Sequence, residues 1–348
     1  MTLSFTSQLR SLFILAFFLA ACSPQATATP ALTPNAQNST TPSPAAGRPG
    51  PTPEPVATAK PEVAVELAQL GWITFSATEG GRRDIWVIRP DGSDVLNLTG
   101  GMRNIFAEAP VWSPDASLIA YDGITSPESV RDIYLMAVEA EPSQTTQLTT
   151  QLGFDCYPSF SPDGQRIVYM AEHDGNRELF IMDLEGNELL QLTDHPSEDY
   201  EPAWSPDGER IAFTSRREGN SEIFIMDADG SNLVRLTDSW GLDWRPAWSP
   251  DGEWIAFESW RSGNADIFIM RPDGSDLRQL TTSEAEDGHP TWSPDGRYIV
   301  FHSQRTGNYQ LFVLEVENPE EQWHLETGSV RALLPAWSPV AVVPGLEG

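Results

Sequence analysis

The chain has 348 residues and a formal net charge of −29. From residue 63 onward it holds 18 basic and 48 acidic side chains. A chain with this negative charge repels nucleic acid and anionic lipid headgroups. We therefore expect no nucleic-acid partner and no direct contact between the folded part and lipid. The same charge favours a soluble monomer, and it favours cationic or basic partners over acidic ones.

The first 21 residues are typical of a secretory signal peptide. Arg10 precedes an apolar stretch at 12–19 that is too short to span a bilayer. Residues 19–22 read Leu-Ala-Ala-Cys, which resembles the cleavage motif of bacterial lipoproteins. The resemblance implies acylation of Cys22 and a protein lipid-anchored in the bacterial cell envelope, either periplasmic or surface-facing. An ordinary signal peptide with an incidental cysteine is the alternative.

Residues 22–66 are predicted to form a disordered tether. Between residues 23 and 62, 25 of the 40 residues are Pro, Thr or Ala, and none is aromatic. Such a composition cannot bury a core, so the segment should hold the folded domain away from the membrane. The folded domain is predicted at 67–340, followed by a short tail at 341–348.

A seven-residue phrase, P-A-W-S-P-D-G, recurs along the folded part. It begins at Pro202 and again at Pro246, 44 residues later. Looser copies begin at Pro110, Pro158, Pro290 and Pro335. A period near 44 is typical of paired-helix solenoids or of four-stranded propeller blades. The apolar runs are short, rich in Ile, Phe and Val, and separated by Pro and Gly turn signals. These features exclude a helical solenoid and favour four-stranded blades.

Each repeat is predicted to contain four antiparallel strands. In one repeat these are a (Ala203–Ser205), b (Arg210–Ser215), c (Glu222–Asp227) and d (Leu233–Thr237). Strand c is apolar on both faces, which indicates a sheet stacked between two other sheets, as in a closed ring of blades.

The two ends of the repeat region predict how the ring closes. Residues 73–99 read as strands b, c and d without a strand a, whereas the motif at Pro335 is a strand a with no b after it. The two fragments complete one another. The sequence therefore predicts an all-β, six-bladed β-propeller of four-stranded antiparallel blades, closed by pairing the C-terminal strand into the first blade.

Over roughly residues 70–339 these repeats resemble those of TolB-type propellers, which share the P-x-W-S-P-D-G phrase, the Gly-Asn turn and the Leu-Thr ending. The resemblance implies an envelope protein that binds a protein or peptide partner. Related repeats occur in prolyl oligopeptidases and the tricorn protease, whose chemistry lies on a further domain that we expect to be missing here. TolB also carries a folded α/β domain where this chain has its Pro/Thr/Ala tract, so participation in a Tol–Pal-like system is left open.

The repeats differ most in the three residues before the proline of strand a. These triplets are Ala107-Glu108-Ala109, Asp155-Cys156-Tyr157, Asp199-Tyr200-Glu201, Asp243-Trp244-Arg245, Asp287-Gly288-His289 and Ala332-Leu333-Leu334. If strand a is innermost, as in the family, the triplets ring one mouth of the central channel. Aromatic side chains with an Arg are typical of recognition surfaces. The predicted ligand-binding rim comprises Asp155, Tyr157, Asp199, Tyr200, Glu201, Asp243, Trp244, Arg245, Asp287 and His289.

Two interpretations of the four rim aspartates remain open. Each could cap its turn or bond backbone amides of the neighbouring blade, or together they could hold a cation or a basic peptide terminus. An oxygen-only ligand set would suit Ca²⁺; otherwise no cofactor or metal is expected. Arg217, Arg261 and Arg305 precede the Gly-Asn turns and are expected to pair on the outer rim with the residues that begin strand c. Those residues are Glu222, Asp266 and Gln310.

Catalysis finds little support in the sequence. The five histidines have no metal-ligand spacing, and no nucleophile elbow, zinc-protease motif or phosphate-binding loop is present. We therefore expect a protein- or peptide-binding module and not an enzyme. The alternatives are a carbohydrate-active hydrolase or lyase working in the propeller funnel, and a Ca²⁺-stabilised structural surface protein.

Overall fold

The computed structural model describes residues 61–100, 106–124, 130–139, 144–150, 153–328 and 330–346. The predicted signal peptide, Cys22 and the tether up to residue 60 lie outside these ranges. The predicted tether includes residues 61–66, which form most of helix α1 (Pro61–Leu67). Leu67, at the end of this helix, is fully buried in one cluster with Ile73 and Phe75. Within the described ranges, none of the helices has the length and apolar character needed to cross a membrane.

The rest of the described chain is built from short strands. They are β1 (Ile73–Glu79), β2 (Arg82–Ile88), β3 (Leu96–Asn97), β4 (Phe106–Trp112), β5 (Leu118–Ile124), β6 (Asp132–Ala137), β7 (Thr146–Gln147), β8 (Asp155–Phe160), β9 (Arg166–His173), β10 (Asn176–Asp183), β11 (Glu188–Gln191), β12 (Asp199–Trp204), β13 (Arg210–Ser215), β14 (Glu222–Asp227), β15 (Val234–Arg235), β16 (Asp243–Trp248), β17 (Ile255–Ser259), β18 (Asp266–Met270), β19 (Arg278–Gln279), β20 (Asp287–Trp292), β21 (Tyr298–Ser303), β22 (Gln310–Glu315), β23 (Gln322–Leu325) and β24 (Arg331–Trp337).

These strands form six antiparallel sheets of four, which confirms the predicted propeller. Five sheets contain consecutive strands, starting at β4, β8, β12, β16 and β20. The sixth has the order β24-β1-β2-β3, so the last strand completes the first blade. The predicted closure between the chain ends is thus confirmed as well.

The closing contact is a dense set of hydrogen bonds between residues far apart in sequence. Ile73 pairs with Trp337 in the ladder between β1 and β24. Beyond the ladder, the Trp72 amide donates to Ser338 Oγ at 2.9 Å, and Trp337 Nε1 donates to the Leu70 carbonyl at 2.7 Å. The predicted tail at 341–348 also contributes, since Val343 and Leu346 are buried in one cluster with Ala116.

Strands b and c of the blade at 199–235 have the predicted bounds, but strand a does not. Strand β12 begins at Asp199 and ends at Trp204, whereas the prediction placed it at Ala203–Ser205. The variable triplet is therefore part of the innermost strand. It joins the ladder through a β-bulge, which the proline motif alone does not reveal.

The core lies between the blades, where the motif aromatics pack. Trp112, Phe160, Trp204, Trp292 and Trp337 are 6–8% exposed. Several indoles also bond across to the preceding blade: Trp248 Nε1 donates to the Ala203 carbonyl at 3.2 Å, and Trp292 Nε1 to the Ala247 carbonyl at 3.1 Å. Trp248 and Trp292 thus provide both apolar packing and an inter-blade hydrogen bond, whereas Trp204 Nε1 donates to the Gly208 carbonyl of its own turn.

Candidate ligand-binding channel

A β-bulge in every innermost strand distinguishes the third residue of each triplet. That residue has a left-handed φ in all six blades: Ala109 (46°), Tyr157 (54°), Glu201 (55°), Arg245 (57°), His289 (57°) and Leu334 (55°). In one blade Tyr200 pairs with Thr214 but the next pair is Ala203 with Ala212, so the register shifts at this point. Such a conformation costs a non-glycine residue about 1–2 kcal/mol. The fold imposes it six times.

A cavity of about 440 Å³ lies between the six innermost strands. Its walls are mainly apolar, because both prolines and the aromatic residue of each motif line it. At one end the lining consists of third-position residues, namely Ala109, Tyr157, Glu201, Arg245 and His289. Apolar walls with a few polar groups at one end are the usual form of a ligand site.

Arg245 organises the polar end of this cavity. Its Nε donates to Glu201 Oε1 at 3.2 Å, and its Nη1 donates to Glu258 Oε2 at 2.8 Å. The Arg245 amide and the Thr214 hydroxyl also donate to Glu201 Oε2, at 3.1 Å each. Both glutamate side chains are 5% exposed, so the guanidinium compensates two buried negative charges.

Two histidines lie beside this group. The rings of His289 and His302 stack with centroids 6.2 Å apart, and the edge of Tyr309 meets His302 at 5.1 Å. Burial lowers the pKa of His289 well below its ordinary value, and the nearby charge of Arg245 lowers it further. Both effects keep His289 neutral, and its buried Nδ1 has no hydrogen-bond partner among the described residues.

A second buried charge cluster lies across the channel and was not predicted. Arg131 contacts both Glu108 and Asp122, and Arg83 contacts Glu108. Asp122 occupies the position in strand b that Thr214, Glu258 and His302 hold in other blades. This second variable column in the repeats is the sequence signal that would have revealed the cluster.

The four rim aspartates are buried, and three of them pair with an arginine of their own blade. Arg217, Arg261 and Arg305 bond to Asp199, Asp243 and Asp287 at 2.6, 2.7 and 2.5 Å. The expected pairing of these arginines with Glu222, Asp266 and Gln310 is therefore wrong. The b–c hairpin folds the arginine back across its own strand, where it also bonds a serine, as in the 2.8 Å bond from Arg217 Nε to Ser215 Oγ.

Asp155 lacks this arginine, because His173 stands at the equivalent position. Burial raises the pKa of Asp155 to about 6, and the hydrogen bond from Thr149 offsets only part of this increase. Between about pH 4 and pH 6 the folded state thus binds more protons than the unfolded state. Because of this difference, the Asp155 contribution to the free energy of unfolding falls as pH rises through this window.

We expect Asp155→Asn to raise the free energy of unfolding at pH 7.5 by about 2–3 kcal/mol, since the amide carries no charge to bury. The increase in the free energy of unfolding should vanish near pH 4. Urea denaturation of the wild type and the variant at pH 7.5 and at pH 4 measures this difference. The control is Asp273→Asn, an exposed turn residue whose pKa is lowered chiefly by the Ser275 hydroxyl, which should weaken the protein at pH 7.5. A gain for Asp155→Asn that is equal at both pH values would contradict the assignment.

The remaining rim residues are not all at the channel. Tyr200 is fully buried and its hydroxyl lies 2.7 Å from Ser221 Oγ, within the blade. Trp244 is partly exposed, pairs with Glu258 across the strands, and has no hydrogen-bond partner for Nε1 among the described residues. Of the ten predicted residues, the cavity therefore brings together Tyr157, Glu201, Arg245 and His289.

A Ca²⁺ site at the rim aspartates finds no matching geometry. In the part of the chain that the structure describes, no three His, Cys, Asp or Glu side chains converge as metal ligands would. Three of the four aspartates are bonded to arginine, and a guanidinium competes with any cation there. The Ca²⁺ assignment stays a prediction, to be tested by comparing melting temperatures with and without chelator.

Comparison with known proteins places these features in a family. Residues 69–240 and 238–341 match the family described as the TolB beta propeller domain. A TolB homolog protein from Chlorobium luteolum is 31% identical over 32% of this chain and 34% of its own length. The chain thus spans about a third of that curated relative.

Two solved structures share the architecture. TolB from Acinetobacter baumannii superposes with a TM-score of 0.65 and 27% identity, covering 77% of this chain and 66% of its own. A putative TolB from Agrobacterium tumefaciens gives a TM-score of 0.60 at 23% identity, with 77% of this chain and 94% of its own covered. The second likeness shows the fold alone.

Proposed function

Because the chain belongs to the TolB beta-propeller family, we propose that it is an extracytoplasmic module that binds a protein or peptide of the cell envelope. The observation that carries this proposal is the channel end. Its scaffold repeats six times, whereas the side chains presented there differ from blade to blade: Tyr157, Glu201, Arg245 and His289. A scaffold that repeats while its presented residues vary is suited to recognition of one particular partner.

The proposed location rests on the sequence. The signal at residues 1–21 and Cys22 indicate a lipid anchor, and the Pro/Thr/Ala tract gives the propeller reach from the membrane. The family is consistent with a location outside the cytoplasm. Because an acidic surface repels anionic lipid headgroups, we propose that the protein attaches to the membrane through its anchor.

The channel chemistry favours binding over catalysis. A general acid or base must be free to exchange a proton with a substrate. Here Glu201 and Glu258 both form ion pairs with Arg245. A glycoside hydrolase requires two carboxyl groups that are free to act on the substrate, and this pair does not provide them. These contacts support our proposal of a binding module over an enzyme.

The test is capture of envelope proteins by the full chain after cross-linking in membranes. Wild-type protein should recover a defined partner, and Tyr157→Ala with His289→Ala should lose at least about tenfold in recovery, as expected for anchors at an interface. The control is Leu277→Ala, at an exposed residue directly before the outer strand β19, and it should behave as wild type. Cys22→Ala should move the protein from the membrane to the soluble fraction.

Three outcomes would count against the proposal. Equal recovery of the partner by the wild-type protein and by the double variant would mean that the channel end does not take part in binding. Turnover of a polysaccharide panel by the wild-type protein would support the carbohydrate-active alternative. A Cys22→Ala protein that stays with the membrane would exclude the acyl anchor.

A further inference from the structure

One blade departs from its two neighbours on the face where the innermost strands begin. There, in two blades, the residue before the rim aspartate and the residue after strand b form a polar pair: Arg216 with Glu198 at 3.2 Å, and Gln304 with Glu286 at 3.3 Å. In the blade between them the same two positions are Leu242 and Trp260, joined by the 2.9 Å bond from the Trp260 amide to the Leu242 carbonyl.

Further tryptophans extend this apolar area. Trp244 pairs with Glu258 in the ladder, so by strand alternation Leu242, Trp244 and Trp260 lie on one side of the sheet. Trp240, in the loop that leads into the same strand, is 77% exposed. We call Trp240, Leu242, Trp244 and Trp260 the tryptophan patch.

The loop that carries Trp240 is held in place by hydrogen bonds. Asn220 Nδ2 donates to the carbonyls of Ser239 and Gly241 at 3.1 and 2.6 Å, and the Ser239 amide donates to Glu222 Oε1 at 3.0 Å. The backbone of Gly241 lies so close to the next hairpin that a Cβ atom there would be 2.5 Å from the Arg261 nitrogen. A large, solvent-exposed aromatic side chain on a fixed backbone is preorganised to bind a partner, because little conformational entropy is lost on binding.

The charges around the patch decide what kind of partner fits. Glu198, Glu218, Asp238, Glu284 and Glu286 are all at least partly exposed on the flanking loops. The nearby arginines are already paired: Arg216 with Glu198, Arg235 with Asp238 at 2.7 Å, and Arg261 with Asp243 at 2.7 Å. Arg245, which lies 5.9 Å from the centre of the Trp244 ring, is paired with Glu201 and Glu258. An electron-rich indole within a surplus of carboxylates attracts cations by both cation–π and Coulomb interaction.

We propose that the tryptophan patch docks a basic segment of the partner protein, with a Lys or Arg side chain over the Trp240 indole. This inference rests on the proposed function and specifies the partner's chemistry. The surrounding carboxylates select positive charge, and Leu242, Trp244 and Trp260 bury the apolar part of the segment. The whole chain's net charge of −29 steers such a segment toward the protein.

The experiment is selection of a random twelve-residue peptide display library on the full chain, followed by fluorescence anisotropy with the enriched peptides. Enriched sequences should carry net positive charge, and their affinity should fall as salt is raised. Trp240→Ala should weaken them about tenfold without changing the melting temperature, because the side chain is mostly in water. Asp238→Lys with Glu284→Lys should weaken them further, and Leu277→Ala should not.

The outcomes separate this inference from the proposed function. Enriched peptides that are acidic or neutral, or that ignore Trp240→Ala yet are lost in Tyr157→Ala with His289→Ala, would overturn the patch while the channel end keeps its binding role. Failure to enrich any peptide, together with no partner in the capture experiment, would overturn both. Oligosaccharide binding that is lost in Trp240→Ala, with no peptide bound, would reassign the patch to a glycan.

Discussion

Replacing Arg245 with methionine is expected to lower the free energy of unfolding by about 3–5 kcal/mol, because it leaves two buried carboxylates without a counter-charge. Glu201 and Glu258 are each 5% exposed, and both bond the Arg245 guanidinium. The loss should shrink at low pH, since unpaired buried carboxyl groups take up protons and then carry no charge to desolvate. Urea denaturation at pH 7.5 and pH 5 measures both effects.

The control for Arg245 is Arg271→Met in the same blade. Arg271 bonds Glu253 at 2.7 Å, but their side chains are 35% and 65% exposed. Such a surface pair contributes about 1 kcal/mol or less. A triple variant, Arg245→Met with Glu201→Gln and Glu258→Gln, should recover most of the lost stability. Equal losses for Arg245→Met and Arg271→Met would mean that the channel cluster is solvated in solution.

Gly71→Ala is expected to destabilise the protein by roughly 2–5 kcal/mol through the ring closure. Gly71 has a φ of +85°, and a Cβ there would lie 2.2 Å from Ser338 Oγ and 2.4 Å from the Val340 carbonyl oxygen. The added methyl group must displace the segment that follows β24. Limited proteolysis should then cut the C-terminal strand first, and the denaturation midpoint should fall.

The matched control is Gly219→Ala, in the hairpin between β13 and β14. Gly219 has a similar φ of +89°, but nothing lies within 4 Å of the position that a Cβ atom would take there. It should therefore cost only the left-handed backbone strain, roughly 1–2 kcal/mol. If the two substitutions cost the same, closure through Ser338 and Val340 does not contribute to stability.

The rim was only partly predictable, and the aspartates illustrate why. Their recurrence in four blades was visible in the sequence and could mean either a scaffold role or a cation site. Only the hairpin geometry places Arg217, Arg261 and Arg305 on them. The prediction paired those arginines along the hairpin because neighbours in sequence were the only partners that a repeat pattern offers.

The sequence by itself determined the repeat, the number of blades and the closure of the ring. Period, turn residues and the incomplete repeats at the two ends are local or periodic features, and a periodic chain that must cover both faces of each sheet has few ways to fold. The tertiary structure decided which variable side chains meet. Arg245 meets Glu201 because the innermost strands of neighbouring blades converge at the axis, and Arg131 meets Asp122 and Trp260 meets Leu242 because strand pairing within a blade brings them together. The Arg245–Glu201 contact also joins two residues that lie at the bulges of their innermost strands, and the proline motif beside each bulge does not reveal it.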